Sequence, residues 1–209
     1  MCAVSRLGFG LLGTKVSNNS LGYGLTGMTR KTTGPGLIGM FLEEKKKRRV
    51  FFSFHYAKDA MRAAQIRNMG IFEGDTACFD NDWESVRNND DSIKKWISSQ
   101  MKNRTCCVVL VGSETASRKW VRYEIEEAWK MGLGVVGVYI HNVKIPNETR
   151  CAKGANPFDQ ISYGTKKLSE IVNCYDPYSN LTNGAYQAIH YNIENWIEEA
   201  IAIRKRFPK

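Results

Sequence analysis

The sequence predicts an α/β protein in which helices cover both faces of a parallel sheet. Three apolar runs, at residues 50–54, 105–111 and 135–140, are almost uninterrupted by polar side chains. Such continuity is typical of strands that are buried on both faces. Segments with helical periodicity separate the three runs, and this alternation favours a parallel sheet.

The elements follow one another from residue 50. A helix-like stretch continues from the first strand to Asn68, and a short second strand is predicted near residues 77–79. Residues 91–101 predict an amphipathic helix, whose apolar side chains recur at helical spacing at Ile93, Trp96, Ile97 and Met101. Ser117 is predicted to cap the helix that follows strand 105–111, because serine is a favoured N-cap residue.

The second half of the chain is less regular. Residues 142–185 contain Asn-Pro, Asp-Pro and several glycines, and they predict a loop-rich insertion. The last helix is predicted at residues 186–205, with one apolar stripe made of Ile189, Ile193, Trp196, Ile197 and Ala200. The folded domain is therefore expected to span residues 48–209.

Residues 1–47 differ from the rest of the chain. They are rich in glycine, lack an acidic residue before Glu43 and show no helical or strand period, so we predict a disordered basic leader. Two alternatives stay open: an organelle transit peptide, or a true start at Met40. No apolar run approaches the roughly 20 residues of a membrane-spanning helix, and no membrane partner is expected.

The net charge of +9 is concentrated near the amino terminus. Residues 1–49 hold nine Lys/Arg and two Glu, whereas residues 50–209 hold 21 Lys/Arg and 19 Asp/Glu. The domain itself is nearly neutral and has no basic stripe interleaved with aromatic residues. We therefore expect no nucleic-acid partner.

The cysteines and histidines do not predict a metal site. No pair among the six cysteines has CxxC spacing, and the three histidines lie far apart in the sequence. Buried, reduced thiols are expected instead, and these predict a cytoplasmic protein.

Three carboxylates occur close together in the segment SRKWVRYEIEEAW, at residues 117–129. On a helix, Val121, Ile125 and Ala128 define the apolar face, and Glu124 lies only about 60° from Val121. Glu126 and Glu127 point away from that face. A carboxylate at an apolar border is costly unless it is paired or functional, so a structural and a catalytic role for Glu124 both stay open at this point.

Ligands of open parallel sheets bind beyond the carboxyl ends of the strands. This rule selects residues 54–56, 80–84 and 112–114. His55 could act as a general base there, or it could be packed and hydrogen-bonded. The GxGxxG pattern occurs at residues 8–13, 22–27 and 132–137, but none of these segments follows a predicted strand and opens a helix, as a dinucleotide-binding fingerprint requires. No Walker, HExxH or GxSxG motif is present.

Four segments in order resemble the TIR-like family that includes the ThsB component of Thoeris antiphage systems. They are RRVFFSFHY (48–56), FDNDWE (79–84), VGSETASRKWVRYEI (111–125) and GANPFD (154–159). Within the third segment, Ser113, Ser117 and Trp120 lead into Glu124 as in the TIR signature. The resemblance covers roughly residues 48–160.

The resemblance implies a flavodoxin-like TIR fold and cleavage of NAD at the nicotinamide–ribose bond, with Glu124 as the catalytic carboxylate. Candidate substrate-binding residues are Ser53, Phe54, His55, Tyr56, Asp80, Trp83 and Ser113. NAD would be the substrate, with no permanent cofactor and no metal. A homo-oligomer is expected, and a cyclic ADP-ribose-type product would activate a separate effector.

Two other functions stay open from the sequence. A non-catalytic TIR-like module would join partners or bind a nucleotide without turnover, and it would not need Glu124. A flavodoxin-like receiver or flavin protein fits less well, because His55 and Tyr56 follow the first strand where a receiver has an acidic cluster.

Overall fold

The computed structural model describes residues 47–73, 89–146, 150–177 and 184–208. A four-stranded sheet has the order β1-β2-β3-β6, and each neighbouring pair of strands is parallel. The strands are β1 (Val50–Ser53), β2 (Cys106–Val111), β3 (Gly134–Tyr139) and β6 (Cys174–Tyr175). The predicted parallel sheet is confirmed.

Within the described ranges, four helices cover the sheet: α1 (Tyr56–Arg67), α2 (Asp90–Met101), α3 (Lys119–Met131) and α4 (Gly184–Lys205). Side chains of α1 and α4 pack on one face of the sheet, and those of α2 and α3 pack on the other. All six residues of β2 and all six of β3 are buried, as the continuous apolar runs predicted. The C-terminal helix is confirmed.

Strand β1 shows how the two faces are assigned. Phe51 packs with the α2/α3 face, whereas Phe52 and Phe54 pack with the α1/α4 face. Alternate residues of a strand point to opposite faces, so the side chains of Ser53 and of the extended His55 belong to the α2/α3 side.

The segment predicted to be loop-rich contains several short elements. Strands β4 (Ser162–Tyr163) and β5 (Lys166–Lys167) form an antiparallel pair, and β6 joins the main sheet beside β3. A Cβ atom on Gly137 of β3 would lie 2.5 Å from the Cys174 sulfur, so glycine permits this close approach. Strand β6 has two residues, too few to show a strand period in the sequence.

The start of α3 corrects one prediction. Ser117 does not cap the helix, because it lies in a 3₁₀ turn at Thr115–Ser117 and its hydroxyl donates to the Glu114 carbonyl at 2.8 Å. Arg118 occupies the N-cap position without a side-chain capping bond. The helix ends at Gly132, whose φ of +88° is readily adopted only by glycine.

Several predictions fall outside the described residues. These are the leader up to residue 46, the strand near 77–79, and the candidate site residues Asp80 and Trp83. Within the described ranges, no helix combines the length and apolar character needed to cross a bilayer.

Candidate active site

The carboxyl ends of β1 and β2 lie side by side. Ser53, the last residue of β1, pairs in register with Val109, two residues before β2 ends at Val111. The turn that follows β2 then leads into α3. This arrangement brings the chain after β1, the turn after β2 and one face of α3 to the same edge of the sheet.

The carboxyl group of Glu124, on α3, lies at this edge of the sheet beside Ser53. The residue is 7% exposed, and its Oε2 accepts a hydrogen bond from the Ser53 hydroxyl at 2.5 Å. Ser53 is itself only 1% exposed. The border position predicted from the helical period is therefore a buried carboxyl that accepts a hydrogen bond from a neutral hydroxyl.

The environment of Glu124 changes its acidity. Burial raises the pKa of the Glu124 carboxyl to about 8, and the hydrogen bond from Ser53 acts in the opposite direction. Near neutral pH the group therefore carries its proton in most molecules of the free protein. Glu126 and Glu127 of the same helix are partly exposed, and Glu127 accepts a bond from Ser98 at 2.8 Å.

The turn after β2 is held tightly. The Gly112 amide donates to the buried Thr115 hydroxyl at 2.9 Å. A Cβ atom on Gly112 would lie 2.1 Å from a carboxyl oxygen of Asp59, and one on Gly154 would lie 2.1 Å from the Gly112 carbonyl oxygen. Glycine at both positions lets α1 and the loop near Gly154 close around the turn that carries Ser113.

His55 lies between β1 and this turn. Its Nδ1 is buried, and among the residues that the structure describes it has no hydrogen-bond partner. Oε2 of Glu114 lies 3.9 Å away, and Glu114 also pairs with Arg118 and approaches Lys58 at 3.9 Å. Burial lowers the pKa of His55, Arg118 and Lys58 lower it further, and Glu114 opposes them.

The structure groups only some of the predicted site residues. Ser53 and Glu124 are in contact, and the alternation of β1 places His55 on the same side of the sheet. Phe54 instead packs on the α1/α4 face, where Arg67 lies 5.6 Å from its ring centre. Tyr56 is 54% exposed, with its ring centre 6.4 Å from that of Phe54.

The rule for strand ends selected residues 112–114, but Glu114 was not named among the candidate substrate-binding residues. The available signal was its spacing of four residues from Arg118 directly after a buried strand, a spacing that favours an ion pair. The cations around Glu114 come from both α1 and the start of α3, and no sequence pattern predicted that convergence.

A second polar cluster lies at the ends of β3 and β6. His141 Nδ1 is 3.8 Å from Asp176, which pairs with Lys153 at 2.7 Å. Lys153 also lies 4.6 Å from the ring centre of Tyr139. The described parts of the chain contain no group of three His, Cys, Asp or Glu residues able to hold a metal ion.

Comparison with known proteins identifies the family. The family model described as Thoeris protein ThsB, TIR-like domain, matches residues 51–145, which include Ser53, His55 and Glu124. The chain is 35% identical over 136 residues to a Bacillus cereus (strain MSX-D12) protein named "Putative cyclic ADP-D-ribose synthase ThsB1". That alignment covers 62% of this chain and 70% of the relative. The resemblance in the sequence is thereby confirmed, and the chain belongs to the family of Thoeris ThsB proteins with a TIR-like domain.

Proposed function

We propose that this protein cleaves NAD at the nicotinamide–ribose bond and forms a cyclic ADP-ribose-type product as a signal in antiphage defence. The observation that carries the proposal is the buried Glu124 carboxyl, bonded to Ser53 at the carboxyl edge of the sheet. The name of the Bacillus cereus relative supports the same reaction class.

The reaction suits a single carboxylate. Nicotinamide leaves as a neutral molecule from a cationic substrate, so its departure needs no general acid. The ribose carbon becomes cationic in the transition state, as in glycoside hydrolysis. An ionised Glu124 stabilises that charge, and it does so strongly because water is excluded around it.

The raised pKa of Glu124 fits this role once substrate is considered. In the free protein, burial favours the neutral acid. The positive charge of the bound nicotinamide ribose favours the ionised form, so substrate binding lowers the pKa of the carboxyl. Glu124 therefore ionises when the cationic substrate is bound, and its negative charge is then present for the reaction.

The proposal also covers the substrate, the compartment, the oligomeric state and the downstream partner. NAD is substrate and no permanent cofactor takes part. The protein acts in the cytoplasm as a homo-oligomer, and its product activates a separate effector. The described thiols Cys106, Cys107 and Cys174 are free, which agrees with a reducing compartment.

The test is incubation of NAD with the full chain, followed by chromatography with mass detection of nicotinamide and the ADP-ribose products. Lysates of phage-infected cells are added in parallel, so that a required trigger is present. Glu124→Gln should lose nicotinamide release by about 10²- to 10³-fold, the usual effect of removing one group that stabilises transition-state charge.

The matched control is Glu126→Gln, which removes a partly exposed carboxylate from the same helix. It should keep wild-type activity. Intact NAD with wild-type protein in both settings would contradict the proposal and favour the non-catalytic interaction module. Equal activity of Glu124→Gln and wild type would remove Glu124 from the reaction.

A further inference from the structure

His55 has the environment of a base, and the reaction proposed above leaves one proton without an acceptor. When a hydroxyl of the substrate is the group that attacks the ribose carbon in cyclisation, that hydroxyl must lose its proton. Glu124 faces the developing cation and is the group whose negative charge the reaction needs. A separate base is therefore required.

The position of His55 follows from the alternation of β1. Ser53 points to the α2/α3 side and contacts Glu124, and Phe54 points to the opposite face. His55 returns to the side of Ser53, and its ring lies against Glu114 on the turn that leads into α3. Its imidazole is thus placed at the edge where the Glu124 carboxyl and the chain after β1 meet.

The orientation of the ring selects one nitrogen. Nδ1 is buried and lies 3.9 Å from the Glu114 carboxylate. A proton on Nδ1 would point toward that carboxylate and leave the lone pair on Nε2. A carboxylate behind a histidine fixes the tautomer and stabilises the imidazolium that forms, as in the serine hydrolase triad.

We propose that His55 is the general base of cyclisation and thereby decides between a cyclic and a linear product. This inference rests on the proposed NAD cleavage. The bond between nicotinamide and the ribose carbon breaks, and its electron pair leaves with nicotinamide. A hydroxyl oxygen of the same molecule bonds to that carbon, and its proton passes to Nε2 of His55.

A water molecule that attacks the ribose carbon differs from a substrate hydroxyl in how it loses its proton. An attacking water is connected to solvent and can pass its proton there, whereas a substrate hydroxyl held in the site needs an adjacent base. Loss of the base should therefore suppress the cyclic product more than nicotinamide release. The lowered pKa of His55 agrees with this role, because it keeps the imidazole neutral near pH 7.

The experiment measures nicotinamide, linear ADP-ribose and cyclic product from NAD, using the full chain and its variants. His55→Gln should still release nicotinamide, because cleavage of the nicotinamide–ribose bond needs no base. Its ratio of cyclic to linear product should fall on the order of 10²-fold, the usual contribution of a general base. His55 makes no side-chain capping bond to α1, so the substitution removes no cap; thermal unfolding verifies the fold.

The matched control is His141→Gln. That histidine also has a buried Nδ1 and a carboxylate at 3.8 Å, but it lies at the end of β3. It should keep the wild-type product ratio. A loss of cyclic product as large in His141→Gln as in His55→Gln would contradict the assignment.

The pH dependence separates a base from a merely structural residue. Glu114, Arg118 and Lys58 are the charged groups that act on His55. The cyclic-to-linear ratio of wild type should fall as pH drops through the pKa of His55, and that of His55→Gln should not change. Glu114→Gln removes the group that raises this pKa, so the fall should move to lower pH.

The outcomes separate this inference from the proposed function. Nicotinamide release with an unchanged product ratio in His55→Gln would overturn the role of His55 and leave NAD cleavage intact. A wild-type protein that makes only linear product would do the same. Absence of nicotinamide release from wild type in infected-cell lysates would overturn both.

Discussion

Two regions at the carboxyl edge of the sheet contain almost the same groups. At the ends of β1 and β2, His55 lies 3.9 Å from Glu114, which approaches Lys58. At the ends of β3 and β6, His141 lies 3.8 Å from Asp176, which pairs with Lys153. In both, burial lowers the pKa of the histidine and the carboxylate opposes that effect.

One difference between the regions is the carboxyl group of Glu124. Among the described residues, only the β1/β2 region contains a buried glutamate, Glu124, which accepts a hydrogen bond from a hydroxyl and whose pKa is raised to about 8. In the β3/β6 region, Asp176 pairs with both His141 and Lys153. Ion pairs with partly exposed cations are common structural features, whereas a buried carboxyl without a cation is costly to keep. The comparison therefore favours the β1/β2 end as the place of the proposed reaction.

The largest expected effect is on stability as a function of pH. The pKa of Glu124 is raised from 4.5 to about 8 in the folded protein. Between these values the folded state binds more protons than the unfolded state, so stability is lost as pH rises through about 8. The change amounts to about 5 kcal/mol in total.

Chemical unfolding of wild type and Glu124→Gln at a series of pH values from 4.5 to 9 measures this effect. The difference in the free energy of unfolding between the two proteins should shift progressively in favour of the variant. Glu126→Gln should follow wild type. Parallel curves for Glu124→Gln and wild type would show that Glu124 ionises normally and would remove the contrast between the two regions.

The second effect concerns activity. Because the free enzyme must lose the proton of Glu124, kcat/KM for nicotinamide release should fall about tenfold per pH unit below about 8. Between pH 8 and pH 6 the loss should be on the order of 10²-fold. The profile of kcat should turn at lower pH, because bound NAD lowers the pKa. A flat kcat/KM profile over this range would contradict the role given to the buried carboxyl.

A smaller effect is expected from Ser53→Ala. The hydrogen bond from Ser53 lowers the pKa of Glu124, and its removal raises that pKa further. Bonds to charged groups contribute about 1.5–3 kcal/mol, which corresponds to about tenfold or more in an equilibrium. The kcat/KM profile should therefore move to higher pH, with about tenfold less activity at pH 7.

Ser98→Ala is the matched control for that variant. Ser98 donates to Glu127 of the same helix at 2.8 Å, in the same kind of bond but away from the sheet edge. Its loss should leave the pH profile in place. An unshifted profile in Ser53→Ala would mean that the short bond does not tune Glu124.

The sequence predicted the parts of this molecule that depend on local pattern. Continuous apolar runs gave β1, β2 and β3, and helical spacing placed Glu124 at the apolar border. The pattern could not show that Ser53 would meet Glu124, since their contact spans 71 residues of sequence and arises from the register of β1 beside α3. The prediction that Ser117 is the N-cap of α3 is wrong because the sequence does not distinguish a 3₁₀ turn from the first turn of a helix.

The smallest effect tests the β3/β6 region by itself. Lys153 pairs with Asp176 and lies over the Tyr139 ring, but its side chain is 51% exposed. Exposed pairs and cation–π contacts each contribute up to about 1 kcal/mol. Lys153→Met keeps much of the aliphatic stem and removes the charge, so it should lower the free energy of unfolding by about 1 kcal/mol or less.

Urea unfolding at low and high salt measures that loss, which should shrink at high salt because exposed charges are screened. Nicotinamide release and the product ratio should stay at wild-type values, since the charge of Lys153 is balanced by Asp176. A tenfold loss of activity in Lys153→Met, with the fold intact, would extend the reaction centre across β3. The two regions would then be one site, and a pairing between carboxylate and cation would no longer distinguish a structural cluster from a catalytic one.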